Sequence, residues 1–266
     1  MRENVNHDDI LPKDHPRYES LEHRHRIIEG MKNLVVSEAG LIAQGRGECF
    51  DYILGEKTSE FAEKAIKAAV SLLLISENPV ISVNGNTAAL IPQELVALSN
   101  AVSAPLEINI FYGKEGRVKA ITDVLTNAGA VNLLGTDESK MVEIEELSSN
   151  RRRVDPNGIK IADTIFVPLE DGDRTEALKR LKRRVIAIDL NPISRTAIWA
   201  DITIVDNIVR AVPKMIKVAE EFKKLNKEEL IKIVKDFDNK KNIQDTLEMI
   251  QEYIEEQKEG AFMILK

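Results

Sequence analysis

Three polar clusters, each following an apolar run, hold the residue types best suited to chemistry in this sequence. Apolar runs of this length, alternating with a helical segment, predict a parallel sheet whose strands are buried on both faces. Because the carboxyl ends of such strands line the ligand crevice, the acids, amides, hydroxyls and arginines of the clusters are expected to meet there. Together they suit a phosphorylated ligand that also forms hydrogen bonds. The runs, each with its cluster, are Thr164–Pro168 with Glu170–Thr175, Val185–Leu190 with Asp189–Thr196, and Ile202–Val205 with Asp206–Asn207.

The first cluster has two interpretations. Asp171 and Asp173 precede Thr175, which is placed to begin a helix, and carboxylates at a helix start are stabilised by the helix dipole. Alternatively, Gly172 and Arg174 supply a permissive backbone and a phosphate-binding guanidinium, while the carboxylates help to hold Mg²⁺ together with substrate phosphates. We favour the second interpretation.

The other two clusters also end strands. Asp189 can accept hydrogen bonds from ribose hydroxyls, and Asn191 offers both a donor and an acceptor. Arg195 and Thr196 follow closely enough to contact a phosphate. The alternative for the second cluster is an Asx-Pro turn with a solvated Arg195. The alternative for the third is a simple helix cap at Asp206-Asn207. Polar clusters at the ends of three neighbouring strands favour a ligand site over three unrelated turns.

Two glycine-containing segments lie upstream. The predicted strand Val80–Val83 runs into Asn84-Gly85-Asn86-Thr87, where the start of the next helix could receive an anion. The segment matches neither the dinucleotide GxGxxG pattern nor a Walker loop. Gly45-Arg46-Gly47 is predicted to break a helix, and its glycines permit close approach of a ligand. A helix stop with a solvated arginine fits the same spacing.

Composition excludes several classes of protein. Of the 266 residues, 43% are hydrophobic and 30% charged, which is typical of a folded globular protein. The net charge of −7 argues against nucleic-acid binding, and Arg151-Arg152-Arg153 is predicted to be a solvated turn. The single cysteine, Cys49, excludes an intrachain disulfide. No apolar run approaches the roughly 20 residues of a membrane span, so a cytoplasmic location and no membrane partner are expected.

Seven ordered segments resemble the archaeal 4-phosphopantoate–β-alanine ligases, also called phosphopantothenate synthetases. The resemblance extends from about His15 to Pro213. It implies ATP-dependent joining of 4-phosphopantoate to β-alanine, with release of AMP and pyrophosphate, in coenzyme A biosynthesis. It also implies a homodimer. The segments are HPRYESL, AGLIAQGRGECFDYILGEKT, NPVISVNGN, LEINIFY, VPLEDGDRTEAL, DLNPISRTA and ADITIVDNIVRA.

The resemblance implies a Rossmann-like core, and the apolar patterns along the chain predict the rest of the domain organisation. An α/β fold is expected, with a Rossmann-like, mostly parallel sheet flanked by helices and with helices added at both ends. Residues 1–76 would form a helical N-terminal region and residues 77–222 the nucleotide-binding core. Residues 223–266 would form helices that pack on the core or at the dimer interface.

The hypothesis of a two-step ligation through an acyl-adenylate predicts further site residues, and the matching motif positions imply the ATP contacts. We expect Arg46, Arg174, Asp171 and Asp173 to act in catalysis, and Asn84, Asn86 and Arg17 to bind the phosphopantoate. Mg²⁺ would bridge triphosphate oxygens. Gly113-Lys114 departs from the arginine expected of the family, and residues 136–153 match too poorly to be assigned a role. The expected ATP contacts are Arg24, Arg46, Asp189, Leu190, Asn191, Arg195, Thr196, Asn207 and Ile208.

Two other functions remain open at this point. One is a dinucleotide-dependent oxidoreductase on the same sheet, which the missing GxGxxG pattern disfavours. The other is a non-catalytic, nucleotide-sensing dimer, which would bind ATP but release no AMP.

Overall fold

The computed structural model describes residues 13–14, 17–146 and 150–263 of the chain, so residues 1–12 of the predicted N-terminal region lie outside it. Three helices precede the first strand, and the remaining helices alternate with strands or follow the last one. The α-helices within the described residues are α1 (Tyr18–Lys32), α2 (Glu38–Ile53), α3 (Glu60–Ile75), α4 (Gly85–Leu90), α5 (Pro92–Val102), α6 (Arg117–Asn127), α7 (Gly172–Arg180), α8 (Arg195–Trp199), α9 (Ile208–Phe222), α10 (Lys227–Asp236) and α11 (Asn239–Met263).

The strands confirm the predicted parallel sheet. Its order is β3-β2-β1-β6-β7-β8, and each neighbouring pair is parallel. From β1 to β3 the strands are added towards one edge of the sheet, and from β6 to β8 towards the other edge. This reversal between β1 and β6 opens a crevice beyond their carboxyl ends. β4 and β5 form a separate antiparallel pair. The strands are β1 (Pro79–Val83), β2 (Leu106–Ile108), β3 (Leu133–Leu134), β4 (Val142–Glu143), β5 (Arg153–Val154), β6 (Thr164–Pro168), β7 (Arg184–Ile188) and β8 (Ile202–Ile204).

The central strands are buried on both faces, as the uninterrupted apolar runs predict. Successive residues of a strand point to opposite faces. In β6, Phe166 therefore joins one hydrophobic cluster with residues of α3, α5 and α9, whereas Ile165 and Val167 join a second cluster on the other face. Every residue of β1 and β6 is buried. Both faces of the sheet are fixed by packing, which holds the polar strand ends in place.

The predicted break at Gly45-Arg46-Gly47 is wrong, because α2 runs through all three residues. Two glycines inside a helix cost roughly 1 kcal/mol each relative to alanine. Packing offsets that cost. Phe50, near the end of α2, packs against the cluster that contains Leu54 and Leu190. The helix also starts on a good cap, since the Ser37 side chain accepts a hydrogen bond from the backbone N–H of Gly40.

The C-terminal helices pack back on the N-terminal ones. Both α10 and α11 contact α3, and α11 also contacts β8 and α2. Asn242 of α11 donates a 2.9 Å hydrogen bond to the carbonyl oxygen of Thr203 in β8. Among the described residues, none of the helices combines the length and the apolar character needed to cross a membrane.

Candidate active site

A cleft of about 560 Å³ lies at the carboxyl edge of the sheet. The loops after β1, β2, β6, β7 and β8 line it, and α2 forms one wall. The structure therefore brings the three polar clusters to one edge, as predicted. Thr196, from the second cluster, joins two of them directly by donating a 2.9 Å hydrogen bond to the carbonyl oxygen of Glu170, in the first.

Most of the predicted site residues line this cleft. Asp173 and Arg174 instead line an adjoining hollow of about 500 Å³, together with Asp171 and Arg195. Arg17 and Arg24 lie outside the lining of both. Arg24 bonds at 2.9 Å to Glu48 of α2, a residue that does not line the cleft. The predicted residues that line the cleft are Arg46, Asn84, Asn86, Asp171, Asp189, Leu190, Asn191, Arg195, Thr196, Asn207 and Ile208.

One part of the cleft, which we call the α2 side, comprises Arg46, Asp189–Asn191, Ser194–Thr196 and Asn207–Ile208. Asp189 shapes its turn, because one carboxylate oxygen accepts from the backbone N–H of Asn191 at 2.9 Å and the other accepts from the Ser194 hydroxyl. Burial raises the pKa of Asp189, while these two hydrogen bonds and nearby Arg46 oppose the rise. The turn thus presents a carboxylate, an amide and a hydroxyl together.

A buried network fastens α2 to the end of β8. The side-chain amide of Asn207 donates to Asp51 of α2 at 2.7 Å. Arg210 bonds to the same Asp51 at 2.5 Å and to Asp206 at 2.7 Å. Thr58 donates to Asp206 at 2.7 Å. Asn207 is thereby held from two directions, since its side-chain oxygen also caps α9.

The opposite part, which we call the arginine side, comprises Asn84, Tyr112, Arg117, Arg151 and Glu170. Glu170 is central to it: one carboxylate oxygen pairs with Arg151 and the other with Arg174. Burial opposes ionisation of this carboxyl, but the two guanidinium groups outweigh that effect and lower the pKa of Glu170.

Arg151 was predicted to lie in a solvated turn, and that prediction is wrong. Only 6% of the residue is exposed, and it lines the cleft. Two partners distant in sequence explain the burial. The carboxylate of Glu170 balances the charge, and the side-chain amide of Asn109, just after β2, donates to the carbonyl oxygens of Arg151 and Arg153. Its neighbour Arg152 stays exposed and pairs with Glu143.

Arg117 is a second cleft residue that the sequence reading missed. Its guanidinium donates to the carbonyl oxygens of Leu34, Val35 and Tyr112, at 3.3, 2.9 and 2.6 Å. Burial first, and then the charge of Arg151, lower the pKa of Arg117. One sequence signal could have revealed it. Arg117 is the first residue of α6, and a cation at a helix N-terminus opposes the helix dipole.

Asn84 follows β1, next to β6, and both polar atoms of its side chain make hydrogen bonds within the protein. Its side-chain oxygen caps α4, and its amide nitrogen donates to the carbonyl oxygens of Pro168 and Leu169 at 3.2 and 3.0 Å. Asn86 donates to the carbonyl oxygen of Gly40 at 2.9 Å. A Cβ atom at Gly85 would collide with the carbonyl oxygen of Val35, so only glycine fits there. The β1 turn is thus tied to α2 and to β6.

The acidic residues of the first cluster differ in their surroundings. Asp173 is exposed and pairs with Arg195, which also bonds to Glu176 at 2.6 Å. Asp171 lines the cleft, and burial raises its pKa.

Within the described residues no group of three or more His, Cys, Asp or Glu side chains could hold a metal ion. A single carboxylate such as Asp171 fits an Mg²⁺ ion that phosphate oxygens hold for the most part.

Comparison with known proteins gives a consistent picture. The model of the phosphopantothenate/pantothenate synthetase family matches residues 61–253. The 4-phosphopantoate–beta-alanine ligase of Thermococcus onnurineus is 53% identical over 252 residues, which cover 94% of this chain and 96% of that protein. The enzyme of the same name from Thermococcus kodakarensis is 53% identical over 238 residues, or 89% of this chain and 90% of that protein. The one from Methanosarcina mazei is 48% identical over 244 residues, or 92% and 95%. A match over this much of the chain means that it belongs to the phosphopantothenate/pantothenate synthetase family.

Proposed function

We propose that this protein joins 4-phosphopantoate to β-alanine with consumption of ATP. The products are 4′-phosphopantothenate, AMP and diphosphate, in a step of coenzyme A biosynthesis. The observation that carries the proposal is 53% identity, over 94% of the chain, to a relative named for this ligation. The cleft supports it, because it combines a carboxylate-and-amide turn with buried guanidinium groups in a space of about 560 Å³.

ATP is assigned to the α2 side of the cleft. Asp189 is placed to accept from the ribose hydroxyls, and Asn191 can both donate and accept beside it. Arg46, which faces the cleft from α2, neutralises the phosphates. Arg24 supports that wall through Glu48, and its predicted contact with ATP remains a prediction. The remaining proposed contacts are Leu190, Arg195, Thr196, Asn207 and Ile208.

The reaction proceeds in two steps in this proposal. A carboxylate oxygen of 4-phosphopantoate attacks the α-phosphorus of ATP, and the bond from that phosphorus to the bridging oxygen breaks, so diphosphate leaves. The amine nitrogen of β-alanine then attacks the acyl carbon of the adenylate. The bond from that carbon to the AMP oxygen breaks, and the nitrogen loses a proton.

The protein contributes chiefly position and charge. Two anionic substrates must meet, and guanidinium groups fixed before they bind lower that barrier. Mg²⁺, when bound with ATP, would neutralise phosphate charge, and Asp171 is the residue proposed to hold it. Arg174 is 1% exposed, so we propose that it acts through Glu170 and not on the reacting atoms. The catalytic role of Asp173, and the substrate contacts of Asn84, Asn86 and Arg17, remain predictions.

We also propose a homodimer. Three exposed apolar residues in and beside α8 support it: Ile193 and Ile198 are 61% exposed, and Trp199 is 40% exposed. Apolar side chains grouped on a surface commonly mark an interface. Sedimentation equilibrium is expected to give twice the mass of one chain, and a single-chain mass would contradict the proposal.

An AMP-release assay tests the proposed function. AMP is expected only when ATP, 4-phosphopantoate and β-alanine are all present, and omission of any one should abolish its release. Binding of ATP with no AMP in the complete mixture would instead indicate a nucleotide-sensing protein. Tight binding of NAD with none of ATP would favour the oxidoreductase.

A further inference from the structure

We propose that Asp51 and Arg210 are positioning residues for ATP, because their buried ion pair holds α2 against the end of β8 and so fixes the wall that carries Arg46. This inference rests on the proposed function, which assigns ATP to the α2 side of the cleft. Neither Asp51 nor Arg210 lines the cleft, so both act through residues that do. It follows that the binding of ATP and the attachment of α2 are coupled, and that each stabilises the other.

The first support is the way in which α2 is buried. Asp51 is the one buried residue among the 16 of this helix, with 7% of it exposed. A surface helix usually packs through an apolar stripe. Here Leu41 and Phe50 are only partly buried, at the margins of two hydrophobic clusters, and Ile42 is 75% exposed. The attachment of α2 therefore depends strongly on the polar contacts of Asp51.

The second support is the geometry of those contacts. One carboxylate oxygen of Asp51 accepts from Arg210 at 2.5 Å. The other accepts from Arg210 at 3.1 Å and from the side-chain amide of Asn207 at 2.7 Å. Arg210 also donates through its Nε to Asp206 at 2.9 Å, and the second oxygen of Asp206 accepts from Thr58. A guanidinium that bonds both oxygens of a carboxylate is directional, so it constrains the rotation of α2 as well as its distance from β8.

The third support is what the attachment positions. Arg46 lies five residues before Asp51, so the two side chains leave α2 in different directions, and Arg46 lines the cleft. Burial raises the pKa of Asp189, and the charge of nearby Arg46 opposes the rise, so these two groups interact within the cleft. Asn207, which Asp51 holds directly, lines the same side. Movement of α2 would therefore displace Arg46 and release the side chain of Asn207 together.

Charge alone predicts the opposite effect on ATP. Asp51 and Asp206 are two carboxylates that bond to one guanidinium, that of Arg210. If only the electric field mattered, removal of a carboxylate charge this close to the cleft would strengthen the binding of a triphosphate. If Asp51 positions α2, the same removal weakens binding. The sign of the change therefore separates the two explanations.

The test compares Asp51→Asn and Asp51→Glu with Glu56→Gln, a matched control at an exposed acid just beyond α2. Affinity for ATP is measured by calorimetric titration, and kcat and the KM for ATP are measured by AMP release. In Asp51→Asn the dissociation constant and the KM for ATP are expected to rise roughly 10-fold, because the bond to Arg210 loses its charge. At saturating ATP kcat should recover, since the ligand restores the attached state of α2. Asp51→Glu should lie between the two, and Glu56→Gln should match wild type.

Hydrogen–deuterium exchange separates loss of attachment from loss of stability. In Asp51→Asn the backbone amides of α2 are expected to exchange roughly 10-fold faster, while those of α3, which lies in the main hydrophobic cluster, keep the wild-type rate. ATP should slow the exchange of α2 in wild type. Arg210→Lys should give the same pattern as Asp51→Asn. In the double variant the two effects should combine to less than their product, as expected of residues that act as a pair.

Three results would overturn the proposal. Tighter binding of ATP by Asp51→Asn would mean that the carboxylate acts through its charge alone. Unchanged affinity with unchanged exchange in α2 would mean that the helix is held without it. Equal acceleration in α2 and α3, with a lower kcat and an unchanged KM, would mean a general loss of stability. If wild type binds ATP but releases no AMP, the ligase fails, and the titrations and exchange still decide this inference. If wild type binds no ATP, both fail.

Discussion

The two sides of the cleft are built in different ways. The α2 side presents side chains from short turns directly after strands, and its arginines, Arg46 and Arg195, are exposed. The arginine side presents buried guanidinium groups whose partners lie far away in the sequence. Arg117, for example, bonds to Val35, 82 residues earlier. The arginines of the α2 side are therefore exposed and its turns are largely local, although Asp51 holds Asn207 from 156 residues away. The guanidinium groups of the arginine side are buried and fixed mainly by long-range contacts.

This difference bears on how an enzyme can handle two anionic substrates in one space. Exposed guanidinium groups are screened by water and can follow a phosphate chain that changes during the reaction. Buried groups exert a stronger field but cannot move, so they suit a phosphate that stays unchanged. In the proposed reaction the triphosphate is cleaved, whereas the phosphate monoester of the acid is not.

The largest expected effect lies on the α2 side. Arg46→Ala should slow adenylate formation about 100-fold or more, because it removes a positive charge placed against the reacting phosphates. Alanine is the best helix former, so α2 should persist. The measurement is exchange of labelled pyrophosphate into ATP in the presence of 4-phosphopantoate. Lys64→Ala, an exposed cation on α3, is the control and should exchange at the wild-type rate. Normal exchange in Arg46→Ala would remove the α2 side from the mechanism.

A smaller effect is expected on the stability of the protein, and it comes from Glu107, a buried acid beneath the arginine side. Glu107 is fully buried, and its carboxylate accepts from the backbone N–H groups of Asp155 and Ile159 at 2.9 and 2.6 Å. Burial raises the pKa of Glu107 from 4.5 to about 7, and these hydrogen bonds oppose the rise. Between those values the folded protein binds more protons than the unfolded chain, so stability falls as the pH rises.

The loss in the free energy of unfolding should be about 2 kcal/mol between about pH 5 and about pH 8. Urea unfolding across this range measures it. Glu107→Gln should remove this part of the pH dependence whatever its effect on absolute stability, because glutamine does not titrate. Glu115→Gln, at an exposed position, should keep the wild-type slope. Equal slopes in wild type and Glu107→Gln would show that the buried acid is not the cause.

The sequence predicts the α2 side well because its signals are local. Asp189, Asn191 and Asn207 follow their strands directly, so recognising an apolar run as a strand also places the polar residues at its end. The same reasoning predicts the parallel sheet, since strands buried on both faces must be apolar throughout. Local reasoning fails at Gly45-Arg46-Gly47, where packing of α2 outweighs the cost of two glycines.

The arginine side could not be predicted in this way. Nothing near Arg151 distinguishes it from Arg152, and only contacts with Asn109 and Glu170, 42 and 19 residues away, decide which one is buried. A run of three arginines is usually solvated, so the sequence favours the wrong answer. Arg174 shows the opposite difference, and its catalytic role stays a prediction. Its motif predicts a guanidinium that stabilises substrate charge, and its pairing with Glu170 leaves only 1% of the residue exposed.

The smallest expected effect sharpens the assignment of ATP to the α2 side. Asp189→Asn keeps the size of the side chain and can keep both hydrogen bonds of the turn. It replaces the charged carboxylate, which accepts from the ribose hydroxyls, with a neutral amide. The KM for ATP should rise about 10-fold, and the KM for 4-phosphopantoate should change little.

The same residue predicts a pH dependence of ATP binding. Because burial raises the pKa of Asp189, wild type should lose ATP affinity on acidification, and the loss should begin at a higher pH than it would with an exposed aspartate. The asparagine variant should lack that loss, while Asp123→Asn, on the exposed face of α6, should retain it. If the KM for 4-phosphopantoate rose instead, Asp189 would belong to the acid substrate and the division of the cleft would have to be redrawn.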